Sequence, residues 1–317
     1  MTSNPILMAL APVFFVLLLG YAAGNFRIVD NHHVDSLNAL VMDFALPASL
    51  FAATASATRS EMLEQAPLFL VFGMTMLLLY ATWYWATRKF FSVSRADASL
   101  QALTIAFPNL AGVGLPIVSA VLGPAGAVPI AVALASGSIL VSPLTLIIVE
   151  TSAAKARGAS ERPLVQSLTA VRRAITKPVV LAPALGILLS LCDLKLNALA
   201  DACLSLIGSA AAGVALFLTG LILSAEKFRL DWSVVAATAA SDIIRPLLAL
   251  AVVFFVPVRP EIARTAILLA AAPSGFFGIL FAVNYRLDSA TAGSMVTAST
   301  VFSILTMATA IALLFPG

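Results

Sequence analysis

Few residues in this chain are equipped for chemistry. Asp242 and Arg245 sit three apart in ASDIIRP, within a long apolar run. That i, i+3 spacing puts a carboxylate and a guanidinium on one face of a helix. A charge near the middle of a membrane costs on the order of 3 kcal/mol by insertion scales, so such residues are functional candidates by default. Two readings stay open for them: an internal ion pair, or a site linked to protons or substrate. The second set of candidates lies where helix-breaking residues interrupt apolar runs. FPNLAGVGLP, residues 107–116, holds Pro108, Asn109, Gly112, Gly114 and Pro116, and AAPSGFFG, residues 271–278, holds Pro273, Ser274, Gly275 and Gly278. Proline removes a backbone donor and clashes with the preceding turn. Freed carbonyls find no water in lipid, so such breaks persist only against protein or a wet cavity.

Other chemistries lack their residues. His32, His33, Cys192 and Cys203 supply no zinc or haem constellation, so no metal or cofactor is expected and the cysteines read as free thiols. There is no HExxH, no GxSxG and no soluble sensing domain, which argues against an intramembrane enzyme or a receptor.

The elements that must position these residues are membrane helices. Of 317 residues 61% are hydrophobic and only 10% charged, against about 25% charged in soluble domains; mean hydropathy is +1.04. Crossing hydrocarbon takes about 20 apolar residues. Ten runs qualify, at about 5–24, 36–56, 66–87, 98–122, 126–149, 178–192, 199–224, 232–256, 262–284 and 288–315. The short sixth run is extended by Lys177 and Lys195, whose stems can snorkel. MTSNP before the first run offers no basic n-region, so that run reads as a helix and not a cleaved signal peptide.

Basic residues orient the chain. The loops after odd-numbered spans hold Arg27; Arg88, Lys89 and Arg95; Lys155, Arg157, Arg162, Arg172, Arg173 and Lys177; Lys227 and Arg229; and Arg286. The other face holds Arg59, Lys195, Arg259 and Arg264. The positive-inside rule places the odd loops in the cytoplasm and both termini outside a cell (inner) membrane. The +3 formal charge thus reflects loop topology and not nucleic-acid binding.

The longest loop, residues 150–177, divides a first five-helix repeat at 1–149 from a second at 178–317. An odd number of spans per half inverts one half against the other. Ser138, Ser142 and Thr145 in span 5 share their spacing with Ser299, Ser303 and Thr306 in span 10, one helical face in each case. Span 4 breaks at Pro108 and its counterpart, span 9, at Pro273. If the breaks cross, each second half-helix aims its N-terminal amides at the crossing, a setting that favours anions. Asn109 can donate to a carboxylate while its oxygen satisfies a freed amide; Ser274 adds a hydroxyl.

Pro108-Asn109 followed by Gly114 and Pro116 resembles the crossover motif of the auxin efflux carriers, which include plant PIN carriers and bacterial malonate-type permeases. APSGFFGILFAVNY, from Ala272 to Tyr285, is similar to their second crossover. FALPAS at 44–49, KPVVLAPALGILL at 177–189 and GVALFLTGLIL at 213–223 extend the resemblance over most of the chain, and MDFALP at 42–47 is similar to the malonate-permease branch. The resemblance implies an all-α integral membrane protein of ten transmembrane helices, a 5+5 inverted repeat with two broken crossing helices, as in sodium/proton antiporters and bile-acid symporters. It implies a scaffold of spans 1, 2, 6 and 7, a homodimer, and a transport part of spans 3–5 and 8–10 moving like an elevator. It also implies that Asn109 meets a substrate carboxylate. Asp43 then reads as a scaffold contact, and Asp201 as a residue near the outer interface.

Antiporters of this architecture place acids at the crossing, yet none lies between 98 and 122 or between 262 and 284. The expected function is a secondary carrier or uniporter of small organic anions, malonate-like dicarboxylates or auxin-like carboxylates. The alternative is a sodium- or proton-coupled symporter of the same fold for another organic solute.

Overall fold

The structure is a computed structural model, and it describes residues 5–156, 172, 176–225, 228–285 and 287–315. Most of the basic loop, including Ser160, lies outside the described residues, as do Lys227, Arg286 and both extreme termini. The chain is helical throughout the described residues, with no sheet. Among the described residues twelve helices follow one another: α1 Pro5–Asn25, α2 Asp35–Ser56, α3 Arg59–Phe90, α4 Arg95–Ala106, α5 Leu110–Leu122, α6 Ala127–Ala156, α7 Pro178–Leu191, α8 Ala198–Ala225, α9 Trp232–Val253, α10 Pro260–Ala270, α11 Phe277–Tyr285 and α12 Ser289–Leu314. Six of them, α2, α3, α6, α8, α9 and α12, are long and apolar enough to cross a membrane. This is a multi-pass, all-helical membrane protein.

Short polar caps set where the apolar runs begin. Thr58, Ser94, Asn197, Asp231 and Asp288 each accept a hydrogen bond from a backbone amide three residues on, at the starts of α3, α4, α8, α9 and α12. Each cap satisfies one of the helix's orphan donors. At Asp231, which lies outside the apolar run, the Ser233 hydroxyl and the Val234 amide hold the carboxyl below its ordinary value.

Three of the prolines inside the runs follow widened turns, whereas Pro12, Pro143 and Pro183 lie within regular α-helix. The π-helical segments Leu40–Ala45, Leu110–Gly114 and Ala240–Ile244 each end two residues before a proline, at Pro47, Pro116 and Pro246. A wider turn relieves the clash that a proline ring makes with the carbonyl four residues back.

Two sets of contacts organise the packing. In the first, α1 lies along the second part of α8, and α7 lies along the second part of α2. The α1–α8 seam is backbone on backbone. A Cβ on Gly20 would stand 2.0 Å from the Phe217 carbonyl oxygen, and one on Gly220 would stand 1.9 Å from that of Leu17. Small residues that let helix backbones meet are a usual means of association in lipid, where apolar burial gives no drive. In the second set, α3, α4 and α6 pack together, α9 packs on α10 and α12, and α11 packs on α4 and α12. The interrupted pairs α4–α5 and α10–α11 meet inside this second group.

Candidate functional site at the crossing of two broken helices

Between α4 and α5 the chain is extended at Phe107, and between α10 and α11 it runs through Ala271–Phe276. The two interruptions pair. Pro108 and Ser274 form an antiparallel bridge: Asn109 donates its amide to the Pro273 carbonyl at 2.8 Å, and Gly275 donates to Phe107 at 3.0 Å. Gly275 also lies 3.1 Å from the Thr104 carbonyl. The breaks foreseen at Pro108 and Pro273 therefore touch, and each break satisfies part of the other. The approach is close enough that a Cβ on Gly275 would fall 2.3 Å from the Phe107 carbonyl oxygen. The Phe107 ring packs on Phe277, with centroids 5.1 Å apart.

The first break ends in a buried copy of the caps seen at the chain's outer turns. Asn109 Oδ1 accepts from the Gly112 amide at 2.9 Å and so starts α5. A Cβ at Gly112 would lie 2.7 Å from Asn109 Oδ1 and would push the capping side chain aside. Gly114 and Pro116 line the widened first turn of α5; both sit within that helix and away from the bridge itself.

Asp242 and Arg245 lie on α9, and the structure sends their side chains to different partners. Arg245 is fully buried. Its Nε donates to the Ala270 carbonyl at 2.8 Å, Nη1 donates to Ile105, and Nη2 donates to Ala272. In an unbroken helix the Ile105 carbonyl would receive the Asn109 amide, and the Ala270 carbonyl would receive the Ser274 amide. The first amide instead bonds Pro273, and the second bonds Ser299 Oγ at 2.8 Å. The guanidinium supplies donors to carbonyls that the breaks left empty.

Asp242 serves the complementary need. Its Oδ1 accepts from Ser299 Oγ at 2.7 Å, with Ser241 Oγ at 3.1 Å. Ser299, its hydrogen committed to the acid, offers its lone pair to the Ser274 amide. One charged residue of α9 thus holds freed carbonyls, and the other holds a freed amide through a serine. Among the described residues no contact within 4.0 Å joins the Asp242 carboxylate to the Arg245 guanidinium, and each side chain makes its own attachment to the crossing. Hydrogen bonds to each offset part of the cost of burying these two opposite charges.

Several buried polar atoms at and around the crossing have no partner among the described residues: Asn109 Nδ2, Ser274 Oγ, Asp242 Oδ2, Gln101 Oε1 and Thr300 Oγ1. Asn109 is 2% exposed and Ser274 1%. A buried donor left unsatisfied costs about 1–3 kcal/mol, so such atoms at one point call for a polar guest. Asn109 and Ser274, the two at the bridge, are both capable of donating to an anion. Ser299 and Ser241 were not singled out as site residues, although the Ser299, Ser303, Thr306 spacing pointed at that face. Gln101, in the turns before the first break, was missed, and its only signal was an amide in an otherwise apolar stretch. No sequence signal identifies the carbonyls of Ile105, Ala270 and Ala272, because they belong to apolar residues.

Residues 5–311 match the membrane transport protein family. The uncharacterized transporter YfdV of Escherichia coli (strain K12) is 29% identical over 296 residues, which cover 93% of this chain and 92% of that one. A putative malonate transporter of Rhizobium meliloti (strain 1021) is 25% identical over 303 residues, with 93% and 92% covered. Broken helices paired at their interruptions, in a chain matched over nearly its whole length, identify it as a transporter and not an enzyme: it belongs to the membrane transport protein family, that of the auxin efflux carriers.

Proposed function

We propose that this protein is a secondary carrier or uniporter of small organic anions, malonate-like dicarboxylates or auxin-like carboxylates, that binds them at the crossing near the middle of the bilayer. One observation carries this reading: Asn109 Nδ2 and Ser274 Oγ are buried without partners beside the bridge. The starts of α5 and α11 follow the two breaks and add their amide dipoles. A carboxylate accepts from both kinds of donor. Pro108, Pro116, Pro273, Gly112, Gly114 and Gly275 shape this place without offering polar side chains to it.

In this reading α4–α5 and α10–α11 are each one interrupted crossing. The ten crossings form two inverted five-helix repeats in the inner membrane, with both termini outside. The α1–α8 and α2–α7 seams form a scaffold and a dimer contact, and the remaining helices form a transport part. Both donors are closed off from solvent in the present conformation, so loading requires a second, open arrangement, as an elevator supplies. The malonate preference draws on the name of the Rhizobium relative. The test is uptake and efflux of labelled malonate and of indole acetate by purified protein in liposomes, with and without a pH gradient. Saturable, protein-dependent movement of either anion supports the reading; movement of neither, by protein shown to be folded, sinks it. A pH-gradient requirement would instead favour the proton-coupled symporter.

A further inference from the structure

The environment of Arg245 resembles the coordination shell of a metal cation more than a salt bridge. Three backbone carbonyls converge on it, Ile105 from the end of α4 and Ala270 and Ala272 from the end of α10. An aspartate stands one turn away on the same helix. Carbonyls at half-helix ends, with an acid nearby, are the groups by which broken-helix carriers coordinate a free monovalent cation. Here these carbonyls are already occupied by nitrogen donors. The guanidinium's rigid fork reaches separate acceptors at once. Asp242 gives one carboxylate oxygen to Ser299.

We propose that Arg245 is a tethered cation, a positioning residue that fills from within the protein the place a sodium ion would otherwise take. The two broken helices are therefore held in register without sodium. The guanidinium is part of the chain, so no ion gradient removes it. The consequence for anion binding rests on the function proposed above; the replacement of a free ion does not.

The experiment uses the purified full-length protein and reads thermal unfolding, with no substrate present. Its outcome is therefore independent of whether malonate or indole acetate is carried. Wild type is titrated with sodium chloride against choline chloride at equal ionic strength, and the expected midpoints coincide across the series. Arg245→Ala removes the tethered charge and leaves three carbonyls facing a space of guanidinium size. Its midpoint is expected to fall, then to rise saturably with guanidinium at millimolar concentrations too dilute to denature, while urea at the same concentrations gives no rise and wild type does not respond. Arg245→Lys keeps one cation with three donors, and is expected to fold and to stay indifferent to sodium. A saturable sodium-specific stabilisation of wild type overturns the proposal, as does an Arg245→Ala protein that folds but ignores guanidinium. Should Arg245→Ala yield no folded protein, the wild-type and Arg245→Lys titrations decide: indifference of both to sodium upholds the tethered cation, and a sodium response in either overturns it.

Discussion

Gly275 donates its amide to the carbonyl of Phe107 at 3.0 Å, joining an interruption in the second half of the chain to one in the first. The contact leaves no room for a side chain. Gly275→Ala would press a Cβ to 2.3 Å from that oxygen, which is backbone and cannot swing aside. Overpacking of this sort costs about 1–3 kcal/mol. The expected result is a lowered unfolding midpoint and lost transport. Gly213→Ala is the control, since nothing lies within 4 Å of its added methyl, and its midpoint should equal or exceed that of wild type. Equal midpoints for Gly275→Ala and wild type would show that the breaks do not meet as described.

Asn109 has two separable tasks, and two substitutions divide them. Asn109→Ala loses both the cap on Gly112 and the free donor, and leaves the Gly112 amide unpaired at about 1–3 kcal/mol. Asn109→Asp keeps an oxygen for Gly112, because aspartate caps helices as well as asparagine does. It replaces the donor with a second anion. The aspartate variant should therefore keep the cap of α5 but lose stability to its buried charge, on the order of 3 kcal/mol, while binding of malonate or indole acetate by the folded protein weakens roughly tenfold or more. Undiminished anion affinity in a folded Asn109→Asp protein would remove Asn109 from the site.

Asp242 and Arg245 should behave as neighbours with different duties. A double-mutant cycle of Asp242→Asn with Ser299→Ala is expected to show coupling of about 0.5–3 kcal/mol, the range for residues in direct contact. A cycle of Asp242→Asn with Arg245→Lys, which retains the charge, should couple less strongly. If the two were instead a direct pair, breaking it would cost about 3–5 kcal/mol, and replacing both with Asn and Gln would restore most of the stability. That restoration, measured by thermal unfolding, is the outcome that would reinstate the ion pair.

Orientation is testable with native and introduced thiols. Cys192 is exposed at the end of α7, on the face that the basic residues place outside. An impermeant maleimide should label it in intact cells. Ser92→Cys, in an exposed turn on the opposite face, should resist the reagent in a background where Cys192 and Cys203 are replaced by serine. Labelling at position 92 with protection at 192 would invert the topology.

The sequence determined the solvent, the number and extent of the apolar runs, and the places where they break. These are local properties. A 20-residue apolar run has few alternatives in lipid, and proline interrupts a helix wherever it stands in one. The helices found at Asp35–Ser56, Trp232–Val253 and Ser289–Leu314 begin or end within a few residues of the runs read from composition. The candidates Asn109 and Ser274 were legible for the same reason, as polar residues directly after a break.

Only the tertiary structure decided what the breaks do with the groups they free. Spacing alone offered Asp242 a partner at Arg245, since three residues along a helix is a short distance. In the fold each of them hydrogen-bonds elsewhere. Arg245 found carbonyls of Ile105, Ala270 and Ala272, which have no partner of their own and whose residues look wholly apolar in sequence. Asp242 found Ser299, on another helix. In a medium without water every backbone group must be satisfied inside the protein. Which side chain satisfies it depends on which helices meet, and that is fixed by packing between distant segments.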